Sequence, residues 1–153
     1  MIYDRTKEDV ENAIKIREEK IKHFLPLSEE DIEIIERGFF TKKSVNRIEQ
    51  KEYDLCALLR EMGYYNIGLP SENKVEWVST DIFYQEDLRR IFCMCSKFKQ
   101  GFFSLSFFPE KMEIGGGFEN INSLEKTLHD IEQTAESVKR KYKKCGKVVA
   151  GQK

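Results

Sequence analysis

Long apolar runs are missing from this chain: nothing in its 153 residues approaches the roughly 20 consecutive apolar side chains that cross a bilayer. The opening stretch MIYDRTKEDV also lacks the apolar centre of a signal peptide. The chain is therefore expected to be soluble, made in a cytoplasm, and without a membrane partner. Neither sign of charge predominates, with 26 basic against 27 acidic residues. No global field then draws the chain to nucleic acid, and no nucleic-acid partner is expected.

Metal-binding and catalytic vocabulary is equally thin. There are two histidines, His23 and His129, and four cysteines, Cys56, Cys93, Cys95 and Cys145. A zinc site needs ligands paired at short gaps with partners elsewhere, and these positions do not supply them. The cysteines read as free, mostly packed thiols. Gly115, Gly116 and Gly117 stand together, but no lysine and hydroxyl follow in the phosphate-loop pattern, so the triplet reads as a hinge before a last helix. Glu49 and Glu52, like Glu8 and Asp9, occupy positions that read as solvated helix surface. With no constellation of acid, base and nucleophile, the expectation is no enzyme, no catalytic residue, no cofactor and no metal.

What the chain does have is helical punctuation. Thr6 ahead of Lys7, Glu8 and Asp9 is a helix start, its hydroxyl placed to accept from an orphan amide while acids face the positive end of the dipole. That helix is expected to run to about Phe24, burying Val10, Ala13, Ile14, Ile21 and Phe24, with Pro26 ending it. Ser28 with Asp31 repeats the capping pattern before Ile32, Ile34 and Ile35, and Gly38 stops the second helix. Thr41 opens a third, with Val45, Ile48, Leu55, Leu59 and Met62 on one face and Gly63 placed to close it in a left-handed conformation. A fourth covers about residues 84–98, with Leu88, Ile91, Phe92, Cys95 and Phe98 inward.

The predicted fold is mainly α: four to five helices, a short irregular or β segment at about 64–80 and 101–118, and a long C-terminal coiled-coil-like helix. In the first irregular stretch VEWV extends briefly; in the second, Phe103, Leu105 and Phe107 alternate as in a short strand. Trp77 reads as a core residue, and so does the group Phe102, Phe103, Phe107 and Phe108. The organisation is a helical body over 1–100, followed by an aromatic, glycine-rich hinge and terminal helix over 101–153, together one structural unit.

The last helix, capped at Asn120 or Asn122, carries the most regular pattern. Ile121, Leu124, Leu128, Ile131, Ala135, Val138, Tyr142 and Cys145 recur at steps of three and four. Such spacing averages 3.5 residues per turn, the period of a left-handed coiled coil. Two occupants fit it. Either the chain's own helices lie along the stripe, or a second chain does, in which case Ile121 through Tyr142 form an assembly seam and the protein is a homo-oligomer. Lys139, Arg140, Lys141, Lys143 and Lys144 form a basic block where cations favour the helix dipole.

Several fragments share an order with a known group. They are YDRTKEDV at 3–10, SEEDIEIIERG at 28–38, VNRIE at 45–49, LLREMGY at 58–64, WVSTDI at 77–82, PEKM at 109–112, FENINSLEKTLHDIE at 118–132, and CGKVVAGQ near the end. Across nearly its whole length the chain resembles small modules of tail proteins from phages and prophages of clostridia-like Gram-positive bacteria. It departs from the group's pattern at Phe83 and Tyr84, where a proline and a threonine are common, and at Glu52, a usually apolar helix position. The resemblance implies a virion component near the baseplate or fibre-attachment region of a phage tail, or of a tail-like bacteriocin, whose partners are other tail, baseplate or fibre proteins. It brings no catalytic motif. The alternative is a tail assembly chaperone that binds a fibre or baseplate protein and is absent from the finished particle.

Overall fold

A computed structural model describes residues 2–68, 70, 74, 76–78, 80–82, 84–101 and 117–150. Among them the chain is mainly helical and contains no strand. The helices are α1 (Lys7–Glu19), α2 (Glu29–Gly38), α3 (Lys42–Glu61), α4 (Gln85–Gly101) and α5 (Phe118–Ala150), with a single 3₁₀ turn at Ile21–His23.

Each of the first three helices starts where a hydroxyl residue can accept the orphan amide three residues on. Thr6 and Asp9 form a reciprocal capping box, Ser28 and Asp31 form another, and Thr41 accepts from the Ser44 amide. Helix α3 ends as expected: Gly63 takes φ 94°, the Tyr64 amide donates to the Leu59 carbonyl, and the Gly63 amide to that of Arg60. Helix α5 starts differently from expectation. Its first residue is Phe118, the Asn120 amide donates to the Gly117 carbonyl, and Asn122 lies inside the helix with its side chain turned to Arg5.

Helices α3, α4 and α5 pack against one another around one core. Helix α3 supplies Val45, Ile48, Leu55, Cys56 and Leu59; α4 supplies Ile91, Met94, Cys95 and Phe98; α5 supplies Leu124, Leu128, Ile131 and Ala135. Ile67 and Trp77, from the connection between α3 and α4, close the same cluster. The described part of VEWV, residues 76–78, forms no ladder. Its backbone is instead held by α3: the Asn46 amide donates to the Trp77 carbonyl at 3.0 Å, and its Oδ1 accepts from the Trp77 amide at 2.7 Å. One carboxamide thus supplies the donor and acceptor that a neighbouring strand would have provided. The predicted strand at Phe103 to Phe107 lies outside the described residues, as do Gly115, Gly116 and the phenylalanines from 102 to 108.

Helices α1 and α2 form an antiparallel hairpin beside this bundle. Gly38 sits directly on the Asp9 carbonyl and the Ala13 methyl, closer than any Cβ could, so the helices touch backbone to side chain at that point. At the other end Lys20 pairs with Asp31 at 2.6 Å. The Gly38 end adjoins the bundle through Phe40, which packs on the main core. The loop joining the two helices lies at the opposite end, about 20 Å away for a helix of this length.

Candidate functional site

Charged side chains account for much of the buried polar surface, and the sequence reading missed them. Glu49 and Glu52, expected on a solvated face, are both 0 % exposed, as is Glu125. Their charge pointed to solvent, but their spacing puts them with the apolar stripe of α3: Glu49 stands four residues after Val45, and Glu52 lies between Ile48 and Leu55 on the buried face. Glu49 Oε2 accepts from the Trp77 indole at 2.9 Å and from the Lys74 amide at 3.0 Å, while Arg90 reaches Oε1 at 2.6 Å. Glu52 stands near Cys56 and Cys95, and its charge adds to burial in raising both thiol pKa values, that of Cys56 to about 11. Its burial accords with an otherwise apolar position.

Glu125 is the centre of a second cluster. Its Oε1 lies 2.8 Å from Arg47 and 3.3 Å from Arg5, and its Oε2 accepts the Ile2 amide. Asn122, three residues earlier on α5, donates to the Arg5 carbonyl at 2.8 Å and accepts the Arg5 amide at 3.3 Å. Tyr3 stacks on His129 with ring centroids 5.1 Å apart, and Asp4 and Asp9 both pair with Arg37 of α2. The stretch Tyr3 to Thr6 is therefore a lacing: successive side chains bind α5, α2, α5 again, and the start of α1. Both carboxylate oxygens of Glu125 are paired within the chain, while Arg5 Nε and Arg47 Nε are buried with no hydrogen-bond partner among the described residues.

Along the stripe on α5, the chain's own α3 and α4 are the occupant at its centre. Leu124, Leu128, Ile131 and Ala135 are each 0 % exposed within the single chain, whereas Ile121 and Val138 are half-buried. Those four residues are core, returning about 1.5–3 kcal/mol for each large aliphatic side chain. They are not a surface for another chain. Tyr142 and Cys145 lie on the α5 backbone, and their side chains fall outside the described set. Lys139, from the basic block, reaches across to Glu61 at 2.5 Å.

The apolar side chains left uncovered lie elsewhere. Residues 21–30 are exposed without interruption. Ile21 and Phe24, expected in the buried stripe of α1, are among them, because α1 ends at Glu19 and the side it buries carries Ala13 and Ile16. The chain passes through the 3₁₀ turn into Phe24, which has φ 53°, ψ 32° and is 97 % exposed. The signal for this was present: an apolar run, HFLPL, in which a proline forbids helical continuation.

A hollow of about 250 Å³ opens between hairpin and bundle, lined by Val10, Phe39, Phe40, Phe118 and Ile121 with Arg5 at one side. Among the described residues no three metal-ligating side chains converge, and no helix is long and apolar enough to cross a membrane. No family model matches the chain, and neither does any curated protein or solved structure.

Proposed function

We propose that the chain is a structural component of a phage tail or tail-like particle, in the baseplate or fibre-attachment region, working by protein–protein assembly and not by catalysis. One observation supports the reading above others. The residues that carry the resemblance to tail modules are those that shape the molecule. Tyr3, Asp4, Arg5 and Thr6 lace the N-terminal stretch to α2 and α5; Ser28, Asp31 and Gly38 build the hairpin; Asn122, Glu125 and His129 receive the lacing. A likeness concentrated in such residues implies a shared shape more than a shared reaction.

The exposed apolar loop favours a second reading as well, since a transient assembly chaperone would use the same kind of surface to hold a fibre or baseplate protein. Mass spectrometry of purified particles separates the two. A component is present in fixed proportion to the other tail proteins. A chaperone is found in the producing cell and missing from the particle. Absence from both particle and tail-protein complexes would overturn the assembly role altogether.

A further inference from the structure

We propose that the hairpin loop, residues 21–30, is a docking surface for a second copy of this chain, with Phe24 as its central contact. The inference goes beyond the particle assignment and does not depend on it.

The first ground is the backbone at Phe24. The Leu25 amide donates to the Lys20 carbonyl at 3.0 Å and the Phe24 amide to the Ile21 carbonyl at 3.1 Å. This is the paired closure in which the left-handed position normally belongs to glycine, and Gly63 fills that position after α3. After α1 it is a phenylalanine, whose Cβ makes the conformation unfavourable. The side chain gains nothing from its own fold, being almost wholly in water. A strained, bulky, solvated aromatic at a glycine position is maintained at a cost to the isolated chain, which points to a contact made outside it.

The second ground is that the loop is held in a fixed shape. Asp31 accepts from the Ser28 amide and hydroxyl at 2.8 Å each and from Lys20 at 2.6 Å, joining the two helix ends beneath the loop. Ile21, Leu25 and Leu27, its neighbours along the loop, are exposed as well. A pre-formed apolar surface loses little conformational freedom on docking.

The third ground is charge, and it selects the occupant. Lys22 and His23 precede Phe24, while Glu29 and Glu30 follow Leu27, all of them exposed; Lys22 pairs with Glu18 one turn back, a solvent-exposed contact weak enough to be exchanged for one across an interface. Two copies related by a two-fold axis through the Phe24 side chains can set the basic edge of one against the acidic edge of the other, the self-complementarity an isologous contact requires. An anionic membrane is a poorer match, because carboxylates outnumber lysines and arginines six to four over residues 14–33.

Sedimentation equilibrium on the full chain, from micromolar to submillimolar concentration, tests this. Wild-type protein should form a dimer with a micromolar Kd. Phe24→Gly should weaken it by about tenfold or more. At concentrations where both are monomeric, Phe24→Gly should also raise Tm by about 2–4 °C, so loss of pairing cannot be ascribed to misfolding. Lys22→Glu and Glu30→Lys should each weaken pairing alone and recover it when mixed. A wild-type chain that stays monomeric throughout overturns the proposal and leaves the loop to an unlike protein. A dimer of unchanged Kd in Phe24→Gly, or no recovery on mixing the charge variants, overturns it too.

Discussion

Arg5 and Glu125 meet at 3.3 Å with their side chains 1 % and 0 % exposed, joining the stretch before α1 to the second turn of α5. Arg47 of α3 shares the same carboxylate oxygen, so one buried anion holds three parts of the chain together. Removing a partner from such a cluster costs more than the pair contributes, because what remains is an uncompensated buried charge.

Glu125→Leu strands two guanidinium groups and is expected to cost about 3–5 kcal/mol. Arg5→Met leaves Glu125 paired with Arg47 and should cost less than half as much. Urea unfolding followed by circular dichroism measures both. Equal and small losses would mean that solvent reaches Glu125 and that the cluster does not hold the N-terminal stretch.

Gly38 and Gly63 should respond to alanine for different reasons. At Gly38 a methyl group would overlap the Asp9 carbonyl and the Ala13 side chain, both on the facing helix. Forcing the helices apart is expected to cost about 1–3 kcal/mol. At Gly63 nothing lies within 4 Å of an added Cβ, and the penalty comes from φ 94° alone. That is about 1–2 kcal/mol. Adding Ala13→Gly should recover part of the loss from Gly38→Ala and none of that from Gly63→Ala, as thermal unfolding of the double variants would show.

The hairpin loop should loosen in acid. The hydrogen bond from Lys20, then those from the Ser28 amide and hydroxyl, hold the Asp31 carboxyl down to about 2 from its ordinary 3.8. Because the folded value lies below the unfolded one, the contribution is fully present above pH 4 and is lost as pH falls toward 2. Wild-type protein should therefore exceed Asp31→Asn in Tm at pH 6, and the two curves should converge near pH 2. A difference independent of pH would place the stabilisation in the amide's geometry and not in the charge.

How much of this was visible beforehand depended on how far each determinant reaches along the chain. Thr6 with Asp9, Ser28 with Asp31, and Gly63 after Met62 are complete within four residues, and the structure has each cap where the local pattern put it. Glu49 stands four residues after Val45, so its face was legible; its partners were not, because Trp77 comes from the α3–α4 connection and Arg90 from α4. Local chemistry offers Asn120 or Asn122 as the cap of α5, whereas both lie inside the helix and Asn122 pairs with Arg5 at the far end of the sequence. The stripe on α5 showed that something lies along it, not whose helix that is. Phe24 continues the spacing from Ile14 and Ile21 and so reads as inward, but that period has no meaning once the helix stops at Glu19.

Thiol reactivity offers a direct check on the packing of α3 against α4. Cys93 is exposed, whereas Cys56 and Cys95 are buried in the shared core. Burial, with the charge of Glu52 behind it, raises the Cys56 thiol to about 11 and the Cys95 thiol well above its ordinary value. Thiolate is the reactive form, so at pH 8 both should be protected twice over, by exclusion of reagent and by protonation. Maleimide labelling read by mass spectrometry should modify Cys93 promptly. Cys56 and Cys95 should follow only at the rate of unfolding, and together, since one core covers both. Rapid labelling of Cys95 with Cys56 still protected would show α4 leaving the bundle on its own, and would make the α3 and α5 contact the stable unit of the fold.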